Sequence, residues 1–130
     1  MNNPNARPEY LVISRGQWDK SASPEEIQKA IDDFYIWIGE LVDQGKMKPG
    51  QRLANQGRTV SKKGVLTDGP YGESKEVVGG YWFIVADTLD EAAKIIAGNP
   101  TMRCGLFFEV RPIEQERASA FVTTTETPRG

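Results

Sequence analysis

The sequence contains no histidine and only one cysteine, Cys104. Without an imidazole, the chain lacks the usual general base near neutral pH and the commonest transition-metal ligand in proteins. Zinc or haem binding and Ser-His-Asp or Cys-His catalysis are therefore implausible. No carboxylate spacing resembles a calcium-binding loop, so we expect neither a metal nor another cofactor. A lone cysteine cannot form an internal disulfide, which favours a reducing cytoplasm.

The chain also has little net charge and no long apolar run. Its 16 basic and 18 acidic residues give a formal net charge of −2, which provides no electrostatic reason to expect a nucleic acid or an anionic membrane as partner. No apolar segment has transmembrane length, and the N-terminus lacks the apolar core of a signal peptide. We expect a cytoplasmic protein that binds neither nucleic acid nor membrane.

What is present is the composition of one ordinary globular domain. The chain has 130 residues, 38% hydrophobic and 26% charged, enough for one core and too few for two domains. Residues 1–8 are polar and rich in Pro and Asn, which predicts a disordered N-terminus. Residues 114–130 are rich in Thr, Glu, Ser and Arg, which predicts a flexible tail. The domain is thus expected over residues 9–113.

Two helices are predicted from their start and stop signals. Ser23-Pro24-Glu25-Glu26 is a capping box with proline at the first helical position, and Gly45 supplies a left-handed stop. Thr88-Leu89-Asp90-Glu91 is a second predicted capping box, and it begins a short helix that ends before Gly98. Ile36 and Trp37 lie off the apolar stripe of the first helix. They are either scattered surface residues or part of a second face that packs against another subunit.

Strand-like runs separate the helices. We predict strands over residues 10–13, 51–54, 77–86 and 105–112, and a hairpin formed by residues 58–61 and 65–67. This order is the β-α-β-β-α-β pattern of a ferredoxin-like α+β fold with an accessory hairpin, in which two helices cover one face of an antiparallel sheet.

The strand over residues 77–86 is apolar on both faces, and one layer of helices covers only one of them. We assign Trp82, Ile84, Ala86 and Phe107 to the uncovered face. Alternation along the last strand places Glu109 and Arg111 on the face that points away from the helices. Two such sheets facing each other across a two-fold axis would bury the uncovered faces, so we expect a homodimer.

The segment from Val65 to Tyr81 combines several glycines with charged residues, as ligand-binding loops often do. Asp68 is either a carboxylate at the mouth of a pocket or a side chain that holds an Asp-Gly-Pro turn. Lys75 is either a ligand contact or a solvated charge, and Tyr71 either packs or contacts a ligand. Glu109 and Arg111 either bind a polar ligand or form an ion pair. The glycines match no nucleotide-phosphate fingerprint, because the loop runs into a strand.

Thr67-Asp68-Gly69-Pro70-Tyr71, with Glu73, Lys75-Glu76 and Gly79-Gly80-Tyr81, resembles the signature of DGPF proteins in the YCII-related superfamily. The matches extend to Asp90-Glu91-Ala92 and Glu109-Val110-Arg111-Pro112. The resemblance implies a dimeric α+β barrel. Some relatives are lyases or dehydrochlorinases thought to use a His-Asp pair, with the histidine on the first helix. Here that region holds Phe34 and Tyr35, so the pair is absent.

Two functional hypotheses follow. The first is a YCII-like dimer that binds a small molecule in a pocket near residues 67–76. The alternative is a cofactor-free lyase or isomerase that uses Asp68 as general base and Arg111 to stabilise developing negative charge. The residues do not decide whether the protein is an enzyme.

Overall fold

Two helices lie against one face of a four-stranded antiparallel sheet in the computed structural model, which describes residues 7–66 and 77–128. The strands are Glu9–Arg15 (β1), Met47–Arg52 (β2), Thr59–Ser61 (β3), Gly64–Leu66 (β4), Val78–Val85 (β5) and Phe107–Pro112 (β6). The helices are Pro24–Asp43 (α1) and Leu89–Ile96 (α2), and a 3₁₀ helix spans Pro100–Cys104. The sequence analysis did not predict the 3₁₀ helix.

The strand order of the main sheet is β2-β5-β1-β6, and every neighbouring pair is antiparallel. This order, with both helices connecting strands across the same face, confirms the predicted ferredoxin-like α+β fold. Strands β3 and β4 pair only with each other and confirm the predicted accessory hairpin.

The start of α1 forms as its sequence predicts. The Ser23 hydroxyl accepts a hydrogen bond from the Glu26 N–H at 3.1 Å, and the Glu26 carboxylate accepts one from the Ser23 N–H at 3.0 Å. The backbone hydrogen bond from Ser23 lowers the pKa of Glu26. Gly45, at φ +74°, lies just beyond the helix end.

The second predicted capping box is only half formed. The Thr88 hydroxyl accepts from the Glu91 N–H at 3.0 Å, as expected for an N-cap residue. The Glu91 carboxylate instead accepts from the N–H of Asp87, one residue earlier, at 3.2 Å. The helix therefore begins where it was predicted, with a different partner for its N3 side chain.

The core lies between the sheet and the helices. Val12 of β1 and Ile84 of β5 are fully buried beneath the helices, together with Ala86. Burying side chains of the size of Val12 and Ile84 stabilises the fold by about 1.5–3 kcal/mol each. The assignment of Trp82, Ile84 and Ala86 to the uncovered face is therefore wrong. Trp82 and Ile84 face the helices together with their register partners on β1, Val12 and Tyr10, which are buried.

Strand β2 begins earlier than predicted. It starts at Met47, whose side chain is buried, and its pairing with β5 is irregular between Lys48 and Gln51. Gly50 lies in this irregularity, where a Cβ would overlap the carbonyl oxygen of Tyr81. Pairing stops at Arg52, although the Leu53 N–H still donates to the Gly79 carbonyl at 2.8 Å.

The off-stripe residues of α1 have different environments. Trp37 packs against the core, and its ring centroid lies 6.0 Å from that of Phe34. Ile36 is 63% exposed and Tyr35 is 56% exposed. Ile36 thus remains available to a second subunit, whereas Trp37 is occupied within its own chain. In the described residues, no helix is long and apolar enough to cross a membrane.

Candidate functional site

The buried core residues of the sheet lie on its helical side, and among the described residues none of them lies on the opposite face. Strand register places side chains of all four strands on this opposite face. We call this surface the open face: Glu9, Leu11, Ile13 and Arg15 of β1, Lys48 and Gln51 of β2, Tyr81, Phe83 and Val85 of β5, and Phe107, Glu109 and Arg111 of β6.

The centre of the open face is apolar and partly exposed. Leu11 lies opposite Phe83, and Ile13 lies opposite Tyr81. All four side chains have intermediate burial. The rings of Tyr81 and Phe83 meet edge to face, with centroids 6.0 Å apart and planes at 79°. This is a continuous apolar surface of aromatic and branched side chains, of the kind that marks an interaction site.

A positively charged group lies at one end of this surface. Arg15, the last residue of β1, forms an ion pair with Glu109, and its guanidinium carbon lies 5.9 Å from the centroid of the Phe107 ring. Although charged, the Arg15 side chain is only 11% exposed, compared with 38% for Glu109. Gly16, at φ +85°, allows the Phe107 ring to lie against the backbone where a Cβ would approach it to 2.9 Å.

Arg111 lies further along β6 on the same face. Register places it opposite Leu11, and it is exposed. Among residues 7–66 and 77–128, no carboxylate forms an ion pair with Arg111. At the opposite edge of the sheet, Lys48 of β2 is paired with Glu9 at 2.6 Å. The prediction that Glu109 and Arg111 face away from the helices is thus confirmed, and Glu109 is paired with Arg15 rather than with Arg111.

The other predicted site residues, Asp68, Tyr71 and Lys75, lie outside the described residues. Strand β5 begins at Val78, which is the register partner of Arg15, so the start of β5 lies beside the end of β1.

Arg15 is the residue that the sequence analysis missed, because the strand predicted over residues 10–13 ends before it, whereas β1 extends to Arg15. The signal was its spacing from Leu11 and Ile13. Residues 11, 13 and 15 share one face of a strand, so a cation at position 15 ends an apolar row.

A separate charged cluster lies on the helical side. Asp33 of α1 accepts hydrogen bonds from Arg103 at 2.8 Å and from Lys29 at 3.3 Å. The hydrogen bond from Arg103, followed by that from Lys29, lowers the pKa of Asp33. A shallow hollow of about 310 Å³ beside this cluster is lined by Glu26, Lys29, Arg103 and Cys104.

Asp33, Lys29 and Arg103 are already paired within the chain, and Cys104 is buried. A hollow of about 470 Å³ is lined only by tail residues between 118 and 128. In the two described ranges, no group of three or more His, Cys, Asp or Glu side chains is placed to hold a metal ion. The open face is therefore the candidate site.

A model of a known domain family matches the residues that form the sheet. The model of the YCII-related domain matches residues 9–116, from the first residue of β1 to beyond the end of β6. The chain belongs to the YCII-related domain family. No significant match was found among curated proteins.

In this YCII-related domain, Phe34 of the first helix is used for packing. Phe34 is 8% exposed, and its ring centroid lies 5.4 Å from that of Trp82, with the planes at 66°. Both rings lie on the helical side of the sheet. This YCII-related chain thus has an aromatic cluster at that place, and its charged side chains of interest lie on the opposite face.

Proposed function

We propose that this YCII-related protein is a homodimer that binds a small molecule between two open faces, in a pocket beside residues 67–76, without a His-Asp pair. One observation carries the proposal: the open face combines a central apolar surface with a charged group at one end. The apolar part favours burial against a second copy, and the charged part favours retention of a polar compartment.

The proposed assembly follows from the chemistry of the open face. Leu11, Ile13, Tyr81 and Phe83 are too exposed to contribute fully to the core of one chain. Two packed sheets lie about 10 Å apart, a distance that lets side chains of this size interdigitate. An isologous dimer brings the same surface from both copies together and needs no further partner.

Native mass spectrometry of the purified protein tests the assembly. We expect a dimer for the unmodified chain and a monomer for Phe83→Glu, because this change places a charge in the centre of the apolar surface. Ile36→Glu, on the exposed side of α1, is the matched control and should remain dimeric. Monomers from Ile36→Glu together with dimers from Phe83→Glu would place the interface on α1 and contradict the proposal.

The same spectra test binding. Extra mass carried by the dimer and absent from the Phe83→Glu monomer would support a ligand held between the sheets. A bare dimer, followed by no saturable binding in a screen of small metabolites, would contradict the binding part of the proposal while leaving the assembly intact.

The enzymatic alternative has a narrower basis. Arg111 is exposed on the open face, where it is able to stabilise negative charge on a substrate. The corresponding base is Asp68. In this alternative, Asp68→Asn abolishes turnover of a substrate found by screening and leaves the melting temperature unchanged. A lowered melting temperature with or without ligand would instead assign Asp68 to the turn.

A further inference from the structure

We infer that the ligand of the compartment between the open faces is a small carboxylate with an apolar body, bound by Arg111 beside the Arg15–Glu109 pair. This inference rests on the proposed function, since it names the class of ligand for the same compartment. It concerns described residues only.

The charges of the open face do not balance. Glu9 is paired with Lys48, and Glu109 is paired with Arg15. Arg111 is exposed and has no carboxylate partner in the part of the chain that the structure describes. At the β6 edge of the open face, one carboxylate, that of Glu109, therefore lies between two guanidinium groups, those of Arg15 and Arg111.

Dimerisation would make the charge of Arg111 energetically unfavourable. A second sheet removes water from the open face, and an isolated charge taken from water is strongly unfavourable unless it is paired. Lysine or histidine would respond by losing a proton, but arginine keeps its charge at any physiological pH. An anionic ligand would supply the missing charge. A carboxylate also matches the planar fork of a guanidinium, with which it forms two parallel hydrogen bonds.

The neighbours of Arg111 define the rest of the ligand. Leu11 is its direct register partner on β1, and Phe83 is the partner of Leu11 on β5. Directly opposite side chains on adjacent strands lie about 5 Å apart, so an apolar group of one ring or a short chain spans this row. A carboxylate at Arg111 would therefore place an apolar body over Leu11 and Phe83.

The Arg15–Glu109 pair leaves the Arg111 guanidinium available to a ligand. Arg15 is held by Glu109 and lies near the ring of Phe107, and its side chain is only 11% exposed. Glu109 is thereby engaged at the Arg15 end of β6. A second guanidinium at Arg111 then competes poorly for the same carboxylate and is available to a ligand.

Isothermal titration of the full-length dimer tests the inference with two probe pairs of matched shape: benzoate against benzamide, and hexanoate against hexanamide. We expect at least one carboxylate to bind about tenfold more tightly than its amide, because a charge-assisted bidentate contact is lost in the amide. Arg111→Gln should remove most of this difference. Lys94→Gln, which removes an exposed cation of α2 on the helical side of the sheet, should leave it within about twofold.

Other results would overturn the inference. The inference is wrong if the amides bind as tightly as the carboxylates, or if the preference for carboxylates survives Arg111→Gln. It is also wrong if the dimer binds neither class. None of these results would contradict the proposed dimer. A monomeric unmodified protein would instead overturn the proposed function, and this is read from the native mass, independently of any titration. Circular dichroism of each variant verifies that it is folded before its titration is interpreted.

Discussion

Arg15 and Glu109 form an ion pair diagonally across β1 and β6, since Arg15 lies opposite Phe107 and Glu109 lies opposite Ile13. The pair is neither fully solvated nor fully buried, because the two side chains are 11% and 38% exposed. Its removal should therefore cost more than the loss of a surface pair and less than the loss of a buried one.

Glu109→Gln should lower the free energy of unfolding by about 1–3 kcal/mol, because the largely buried Arg15 guanidinium loses its carboxylate. The double variant Arg15→Gln/Glu109→Gln should be less destabilised than the sum of the two single variants. Urea denaturation at one fixed protein concentration measures each value. Glu114→Gln, in the exposed tail, is the control. Additive effects of the two single changes would show that the pair has no coupling energy.

Gly50→Ala should destabilise the protein by about 3 kcal/mol or prevent folding, because its Cβ would overlap the Tyr81 carbonyl in the neighbouring strand. Gly39→Ala is the matched control. Gly39 lies within α1 with no atom near the added Cβ, so alanine there should stabilise the protein by about 0.5–1 kcal/mol. Thermal unfolding followed by circular dichroism measures both. Tolerance of Gly50→Ala would mean that β2 and β5 approach less closely than described.

Asp33 should contribute to the pH dependence of stability. Hydrogen bonds from Arg103 and then Lys29 lower the pKa of Asp33 in the folded state. Its contribution to the free energy of unfolding is therefore fully present above the unfolded pKa of about 3.9, and it is lost as the pH falls through the lower folded pKa. Asp33→Asn should therefore melt at a lower temperature than the unmodified chain at pH 7, and the difference should vanish at sufficiently acidic pH. Asp32→Asn is the control, since Asp32 accepts a hydrogen bond from the neutral Gln28. A difference that is constant with pH would contradict the prediction.

The elements that could be predicted from the sequence are those whose signals are local. The capping box at Ser23 and the stop at Gly45 define α1 because they act within one or two turns of the chain. Strand β2 was misplaced because Pro49 and Gly50 are poor strand formers, and only contact with β5 makes a glycine necessary there. That requirement depends on a neighbour remote in sequence.

The sequence did not indicate which face of β5 is covered by the helices. Alternation separates Tyr81 and Phe83 from Trp82 and Ile84, but a period of two does not indicate which set faces the helices. The choice depends on the register with β1, where Val12 is buried beside Trp82. Arg15 was overlooked because the predicted strand stopped at residue 13, and its pairing with Glu109 depends on the neighbouring strand β6. The loop residues predicted from the sequence lie outside the described residues and remain predictions.

The arrangement of β2 and β5 has a consequence for how this fold can vary. These strands are adjacent and antiparallel, and the last hydrogen bond between their ends joins Leu53 to Gly79. The chain therefore leaves the sheet and returns to it at neighbouring points, and the described β3–β4 hairpin between them pairs only with itself. Changes in the length or composition of this hairpin should leave the register of the four main strands intact, because surface connections tolerate insertions at little entropic cost.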